Sequence, residues 1–146
     1  MATTPDNFSR SQKRSDLKEE SLDRIPPANI QAEQGIIGSL LLDPYMADEV
    51  IAEVRPNEFS DPAHITLFRH LSDMVAEGIL LDHTLLVERL KANDELDSIG
   101  GTAYIAEILH SVPNAANAVF YAKIVHQKAI LRSLIHSSTE IFVGVD

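Results

Sequence analysis

The segment IQAEQGIIGSLLLD, residues 30–43, decides the fold. Its apolar positions are Ile30, Ile36, Ile37, Leu40 and Leu41. They recur at the spacing that places side chains on one face of an α-helix. Asn29 stands just before them, and asparagine is a favoured residue at a helix N-cap. The segment therefore predicts a helix over about residues 30–42.

Two glycines, Gly35 and Gly38, lie inside this predicted helix. Each costs about 1 kcal/mol relative to alanine in a helix interior. That cost is tolerated where a neighbouring element must approach the backbone closely. We therefore expect this face of the helix to be tightly packed.

Helix signals recur along the rest of the chain. Asp43-Pro44 and Asp61-Pro62 each place a capping carboxylate before a first-turn proline. Gly78 is suited to follow a helix C-terminus. Four further short helices are predicted, over about 44–54, over 62–77, from Asp82 or Thr84 to about 90, and from the Gly100-Gly101 break to about 112. Their inward positions are Val50, Ile51, Val54, Ile65, Phe68, Leu71, Val75, Tyr104, Ile105, Ile108, Leu109 and Val112.

The composition agrees with a helical protein. Apolar residues make up 45% of the 146 residues and aromatic residues only 5%, so the core is expected to be aliphatic. No stretch alternates apolar and polar residues with the period of two that strands require. The predicted fold class is all-α, in one domain.

The last part of the chain differs from the rest. About 29 residues, 115–143, contain neither proline nor glycine and would form a helix about 43 Å long. One apolar strip holds Phe120, Ile124, Leu131, Leu134, Ile135, Ile141 and Phe142, and a second holds Ala122, Val125 and Ala129. A helix that is apolar on two sides and projects from a small body needs a partner. We expect Gly144 to end it.

Charge and cysteine content restrict the possible partners and compartments. Residues 25–116 carry 15 acidic and 4 basic side chains, a net charge of −11, so direct DNA binding by this domain is not expected. The absence of cysteine excludes a disulfide framework and Cys-ligated zinc. The N-terminus has no signal-peptide pattern and no apolar run is long enough to span a bilayer. A cytoplasmic protein without membrane contact is expected.

No motif for catalysis or cofactor binding is present. None of the six glycines precedes a lysine as a P-loop requires, and no serine lies in a Gly-x-Ser-x-Gly turn. The six histidines show no metal-binding spacing, and His64 is interpreted as a packed or capping residue. We therefore expect no catalytic residues, no cofactor and no metal in this chain.

Several runs of the sequence form a signature that keeps its order and spacing along the chain. They are RIPP at 24–27, IQAEQ at 30–34, IGSLLLD at 37–43, IGG at 99–101, AYI at 103–105, VPNAAN at 112–117, YAKIV at 121–125 and LRSLI at 131–135, with Phe59, His64, Phe68, Gly78 and Asp82 between them. Together these runs resemble the N-terminal region of DnaB-family replicative DNA helicases, and the resemblance covers about residues 24–144. One departure is Leu85, where the family usually has threonine, and Thr84 stands one position earlier; this leaves the local cap open.

The resemblance implies an architecture and a set of partners. In that family a small helical globule is followed by an antiparallel helical hairpin, and hairpins pair between subunits. Six copies form a collar of three dimers above a ring of motor domains that use ATP and Mg²⁺. Primase docks on this collar, and loader or initiator proteins also engage the helicase. Here residues 1–24 would be a disordered tail, residues about 25–114 the globule of about five short helices, and residues about 115–143 the long first hairpin arm.

We expect the long helix to carry the partner or subunit interface. A core stripe serving only this domain is the alternative, and the helix could also bend at Ser137-Ser138 and fold back. Lys123, Lys128 and Arg132 could serve primase binding or simply be solvated. The expected interface residues are Phe120, Ile124, Lys128, Leu131, Ile135 and Phe142.

Two functional hypotheses follow. The first is an oligomerisation and docking domain cut off near the hairpin turn, before the motor of its parent helicase. The second is a stand-alone homologue that regulates a helicase ring. The reading frame beyond Asp146 distinguishes them, since only the first predicts a P-loop downstream. A third class, an acidic all-α enzyme, lacks candidate catalytic residues.

Overall fold

The computed structural model describes residues 26–112 and 115–145, with side chains up to Ser138. The described residues form five short α-helices and one long one, without strands, so the predicted all-α class is confirmed. The expected tail at 1–24 and the predicted helix end at Pro113-Asn114 lie outside the described residues. The helices are α1 (Ile30–Leu42), α2 (Ala47–Glu53), α3 (Pro62–Ala76), α4 (His83–Ala92), α5 (Gly101–Ser111) and α6 (Ala118–Val145).

Helix α1 begins and ends where the sequence predicts. The Asn29 side chain accepts a hydrogen bond from the backbone N–H of Ala32 at 2.9 Å, which satisfies one of the free donors of the first turn. Ile36, Ile37 and Leu40 are fully buried. Ile30 was expected on the same face but is 42% exposed, because it occupies the first turn, where the helix extends beyond the core.

The two glycines of α1 lie against other helices, as expected. A Cβ atom on Gly35 would stand 2.6 Å from the ring of Tyr121 on α6. A Cβ atom on Gly38 would stand 2.6 Å from the side chain of Val112 and 3.1 Å from the backbone oxygen of Ile108. The two distances of 2.6 Å are shorter than carbon contacts allow, so the missing side chains are what let α5 and α6 pack on α1.

Both Asp-Pro pairs act as caps. Asp43 accepts from the backbone N–H of Tyr45 at 3.2 Å, and Asp61 accepts from that of Ala63 at 2.9 Å. The segment predicted as one helix over 44–54 is divided into a 3₁₀ turn, Pro44–Met46, and α2. Helix α3 buries Phe68 and Leu71 as predicted. Ile65 and Val75 are only half-buried, and the inward positions that the prediction missed are His64, Leu67, His70 and Met74.

Helix α4 is capped by Asp82, whose side chain accepts from the backbone N–H of Leu85 at 3.0 Å. The choice left open between Asp82 and Thr84 is therefore decided for Asp82. Gly78 follows α3 with φ +76°, and its N–H and that of Ile79 bond to the carbonyls of Val75 and Met74. This is the Schellman arrangement that favours glycine.

Helix α6 differs from the prediction at both ends. It begins at Ala118, because residues 115–117 form a turn in which Ala118 N–H bonds to the Ala115 carbonyl. It continues through Ser137 and Ser138, so the bend suggested there is wrong. It also continues through Gly144, since one glycine costs a helix only about 1 kcal/mol and does not by itself end it.

A buried polar cluster joins α1 to α3 and α5. The Glu33 carboxylate bonds to His64 Nδ1 at 2.8 Å, and it accepts from the Ser60 N–H, the Ser60 hydroxyl and the Asp61 N–H at 2.9, 2.6 and 3.2 Å. His64 Nε2 lies 2.6 Å from the hydroxyl oxygen of Tyr104 on α5, and Gln34 donates to that oxygen at 3.1 Å. His64 is thus packed, as predicted.

The same contacts set the ionisation of Glu33. Burial raises the pKa of this carboxyl, but the bonds from His64, Ser60 and Asp61 outweigh burial and hold the pKa below its ordinary value of 4.5. At the surface, His70, assisted by Arg69, lowers the pKa of Glu95. Carboxylates with lowered pKa values stabilise the fold above their ordinary pKa, and this stability is lost as the pH falls through the lowered value.

We predict that Leu40→Ala lowers the free energy of unfolding by about 2–5 kcal/mol, because the change opens a cavity in the core. Leu42→Ala in the same helix serves as the control, since Leu42 is 48% exposed and Leu40 is 0% exposed. Urea denaturation measures both. A Leu40→Ala effect below about 0.5 kcal/mol would mean that α1 is not the centre of the core.

We predict that Glu33→Gln destabilises the protein at pH 7 by about 1–3 kcal/mol, because the charged hydrogen bonds are lost. The variant should also lose part of the fall in stability that the wild type shows as the pH drops below the ordinary carboxyl pKa. Denaturation curves from pH 7 down to about pH 3 measure this. Glu49→Gln, at an exposed position, is the control; equal pH profiles for wild type and Glu33→Gln would contradict the role of the cluster.

Candidate functional site

One face of α6 is apolar and turned to solvent. We call its residues the long-helix stripe. Four of the five side chains are between 43% and 66% exposed, and Ile124 is half-buried. Positions 120, 124, 127, 131 and 134 are spaced alternately four and three residues apart, although position 127 is a glutamine. This is the spacing by which two helices pack along their length. The stripe consists of Phe120, Ile124, Leu131, Leu134 and Ile135.

The opposite face of α6 is already occupied by the globule. Ala118, Ala122 and Val125 are buried in the core. These small residues let α6 lie close to α1, where the Tyr121 ring covers Gly35. The stripe lies on the side of α6 away from this face, and of its residues the half-buried Ile124 also packs against the core. The second apolar strip predicted from the sequence, Ala122, Val125 and Ala129, is this core-facing side.

Arg132 fixes the direction in which α6 leaves the globule. Its guanidinium donates to the backbone carbonyl of Pro27 at 2.8 Å and to that of Glu58 at 2.5 Å. The suggestion that Arg132 serves a partner therefore does not hold in this structure, because its donors are directed at the globule. Lys123, by contrast, is exposed.

A second contact supports the same attachment. His126 Nδ1 lies 2.5 Å from a carboxylate oxygen of Glu58, and the other Glu58 oxygen accepts from the backbone N–H of Arg55 at 2.8 Å. Glu58 thus closes the 3₁₀ turn Pro56–Glu58 and holds α6. We call Arg132, His126 and Glu58 the clamp. No local sequence pattern signals the clamp, because its bonded partners are 68 to 105 positions apart.

The structure brings most of the predicted interface residues together. Phe120, Ile124, Leu131 and Ile135 share the stripe, and the half-buried Lys128 lies at its edge. Leu134, 59% exposed, belongs to the same face and was missing from the predicted interface set, although its spacing of three residues from Leu131 is the signal that could have found it. The side chain of Phe142 lies outside the described residues.

The other polar groups offer no comparable site. Glu33 and His64 are 1% and 0% exposed, so no substrate reaches them in this structure. Within the described residues, no group of three or more His, Asp or Glu side chains could hold a metal ion. None of the helices in this part of the chain is both long and apolar enough to cross a membrane.

Comparison with known proteins identifies relatives of this chain. The chain is 36% identical over 119 residues to the replicative DNA helicase DnaB of Geobacillus stearothermophilus. It is 38% identical over 122 residues to the replicative DNA helicase DnaC of Bacillus subtilis. Each alignment covers 82% of this chain but only 26% of the relative, so the chain spans about a quarter of these helicases.

Solved structures agree. The crystal structure of the N-terminal domain of DnaB helicase from Mycobacterium tuberculosis superposes with a TM-score of 0.78 at 34% identity, covering 81% of this chain and 82% of that one. A structure of a DnaB-like replicative helicase and its interactions with primase gives 0.68 at 26% identity, covering 80% of this chain and 28% of that one. The model of the DnaB-like helicase N-terminal domain family matches residues 25–127. The chain therefore belongs to the DnaB-like helicase N-terminal domain family.

Proposed function

We propose that this chain acts as an oligomerisation and docking domain of a replicative DNA helicase, and that the long-helix stripe is where a second copy binds. The observation that carries this proposal is the exposure of four large apolar residues, with the half-buried Ile124 among them, along one face of a helix whose other face is buried. In the proposal, the chain forms dimers and takes part in the hexamer of its parent helicase.

The geometry supports pairing between two copies. Burying a Leu, Ile or Phe side chain gains about 1.5–3 kcal/mol, so several of them exposed together favour association. The clamp holds α6 to the globule through Arg132 and His126, so the stripe is presented in a fixed orientation. Two such helices lying antiparallel about a two-fold axis would cover each other's stripes.

Docking of primase is the second part of the proposal. It is supported by the likeness to a DnaB-like helicase whose structure concerns its interactions with primase. A loader or initiator protein would engage the same assembly. ATP and Mg²⁺ belong, in this proposal, to the motor of the parent helicase, and the chain itself has no catalytic role.

We predict that the purified chain is a dimer at tens of micromolar in sedimentation, and that Leu131→Asp or Ile135→Asp dissociates it, because each places a charge in the apolar contact. The globule should remain folded, with an unchanged circular dichroism spectrum. Leu80→Asp is the matched control, since Leu80 is 62% exposed but lies outside α6. A monomeric wild type, or a dimer indifferent to both α6 changes, would refute the stripe as the interface.

We predict that the chain does not hydrolyse ATP, because its sequence contains no P-loop motif. We also predict that it binds single-stranded DNA only weakly at about 0.15 M salt, because residues 25–116 carry a net charge of −11. Phosphate release and fluorescence anisotropy measure the two properties. A dissociation constant below about 1 μM for DNA at that salt, or turnover that survives further purification, would contradict this prediction.

A further inference from the structure

A second exposed apolar surface lies on the globule, around the connector between α3 and α4. Two shallow grooves meet at Ile79. Tyr45 and Leu80 line the first groove, and Leu85 and Met74 line the second. Leu80 is 62% exposed, Tyr45 86% and Leu85 45%. We call Tyr45, Ile79, Leu80 and Leu85 the connector patch; neither groove is lined by a residue of α6.

The backbone fixes this exposure. Gly78 ends α3 with a positive φ and turns the chain, and Asp82 starts α4 only four residues later. In the extended segment between them Leu81 is buried, whereas Leu80, its neighbour, is exposed, as expected from the alternation of side chains along extended backbone. Because Leu81 anchors the segment in the core, Leu80 cannot turn inward. Its exposure is a consequence of the fold.

The charge around the patch is negative. Asp48 lines the first groove and Glu88 the second, where Glu88 forms an exposed ion pair with Lys91 at 3.6 Å, a kind of pair that water and salt weaken. Arg89 is the basic residue lining these grooves, and Glu77 neutralises it through a contact of 2.6 Å between Nη1 and Oε2. A ligand of this surface must therefore offer apolar side chains together with positive charge.

We propose that the connector patch binds a basic amphipathic helix of a partner protein. Apolar side chains of that helix would fill the grooves on either side of Leu80, and its lysine or arginine residues would lie near Asp48 and Glu88. A second copy of this chain fits poorly, because the chain has a net charge of −10 and would bring the same acidic rim against itself. The proposal does not rest on self-association, since the patch and the long-helix stripe share no residue.

The test uses the full chain and two fluorescent peptides of about five helical turns, one built of Leu and Lys and the other with Glu in place of every Lys. Anisotropy is recorded at low salt and at about 0.5 M salt, where exposed charges are largely screened. We expect the Lys peptide to bind and the Glu peptide not to bind. High salt should weaken the binding.

Four variants locate the binding site. Leu80→Ser and Tyr45→Ser should each weaken binding of the Lys peptide by about tenfold, because each removes a large apolar contact. Asp48→Asn combined with Glu88→Gln should weaken it and flatten its salt dependence. Ile30→Ser is the control, because Ile30 is 42% exposed at the start of α1 and lines neither groove, and it should change the dissociation constant less than about twofold.

Three outcomes would overturn the proposal. They are equal binding of the two peptides, equal loss in Ile30→Ser and Leu80→Ser, and binding that is indifferent to Leu80→Ser and Tyr45→Ser. Because the readout is peptide binding, a monomeric chain in sedimentation would leave this result unaffected. Circular dichroism of each variant separates lost binding from unfolding.

Discussion

The close approach of α5 and α6 to the backbone of α1 is the constraint on which the rest of the structure depends. Gly35 receives the Tyr121 ring, and Gly38 receives Val112 with the Ile108 carbonyl. Beside Tyr121, α6 faces the globule with the small residues Ala118 and Ala122. Phe120, Leu131, Leu134 and Ile135 of the same helix lie exposed on the far side. The close packing at the two glycines thus contributes to which face of α6 is available to a partner.

The polar contacts then fix the orientation that this packing allows. Apolar packing is non-directional, whereas a hydrogen bond to a backbone carbonyl requires a defined geometry. The clamp residue Arg132 bonds to two carbonyls of the globule, those of Pro27 and Glu58. Glu33 plays the same part inside the globule, since its carboxylate holds the residues that precede α3. Both residues act as positioning residues, and neither faces a cleft in which chemistry could occur.

The sequence predicted what depends on local interactions and missed what depends on distant ones. The N-caps Asn29 and Asp61 are read from neighbouring residues, because a cap bonds within its own first turn. The stripe was also visible, because helical spacing is local. Glu33 and His64 are 31 positions apart in the sequence, and Arg132 and Pro27 are 105 positions apart. Contacts between such distant residues form only once the helices are packed. The limits of α6 were misjudged because neither Ala115 nor Gly144 alone decides where a helix starts or ends.

The two exposed apolar surfaces differ in what surrounds them, and this difference argues for different partners. Along the stripe, Lys128 lies at the edge, Lys123 is exposed on the same helix, and Arg132 is held by the globule. The grooves of the connector patch are lined by the carboxylates of Asp48 and Glu88, of which Glu88 is paired with Lys91, and by the guanidinium of Arg89, which is paired with Glu77. Two copies meeting through their stripes bring few like charges together, whereas two copies meeting through their patches would oppose acidic rims. One chain can therefore pair with itself along α6 and still leave the patch open to a basic protein.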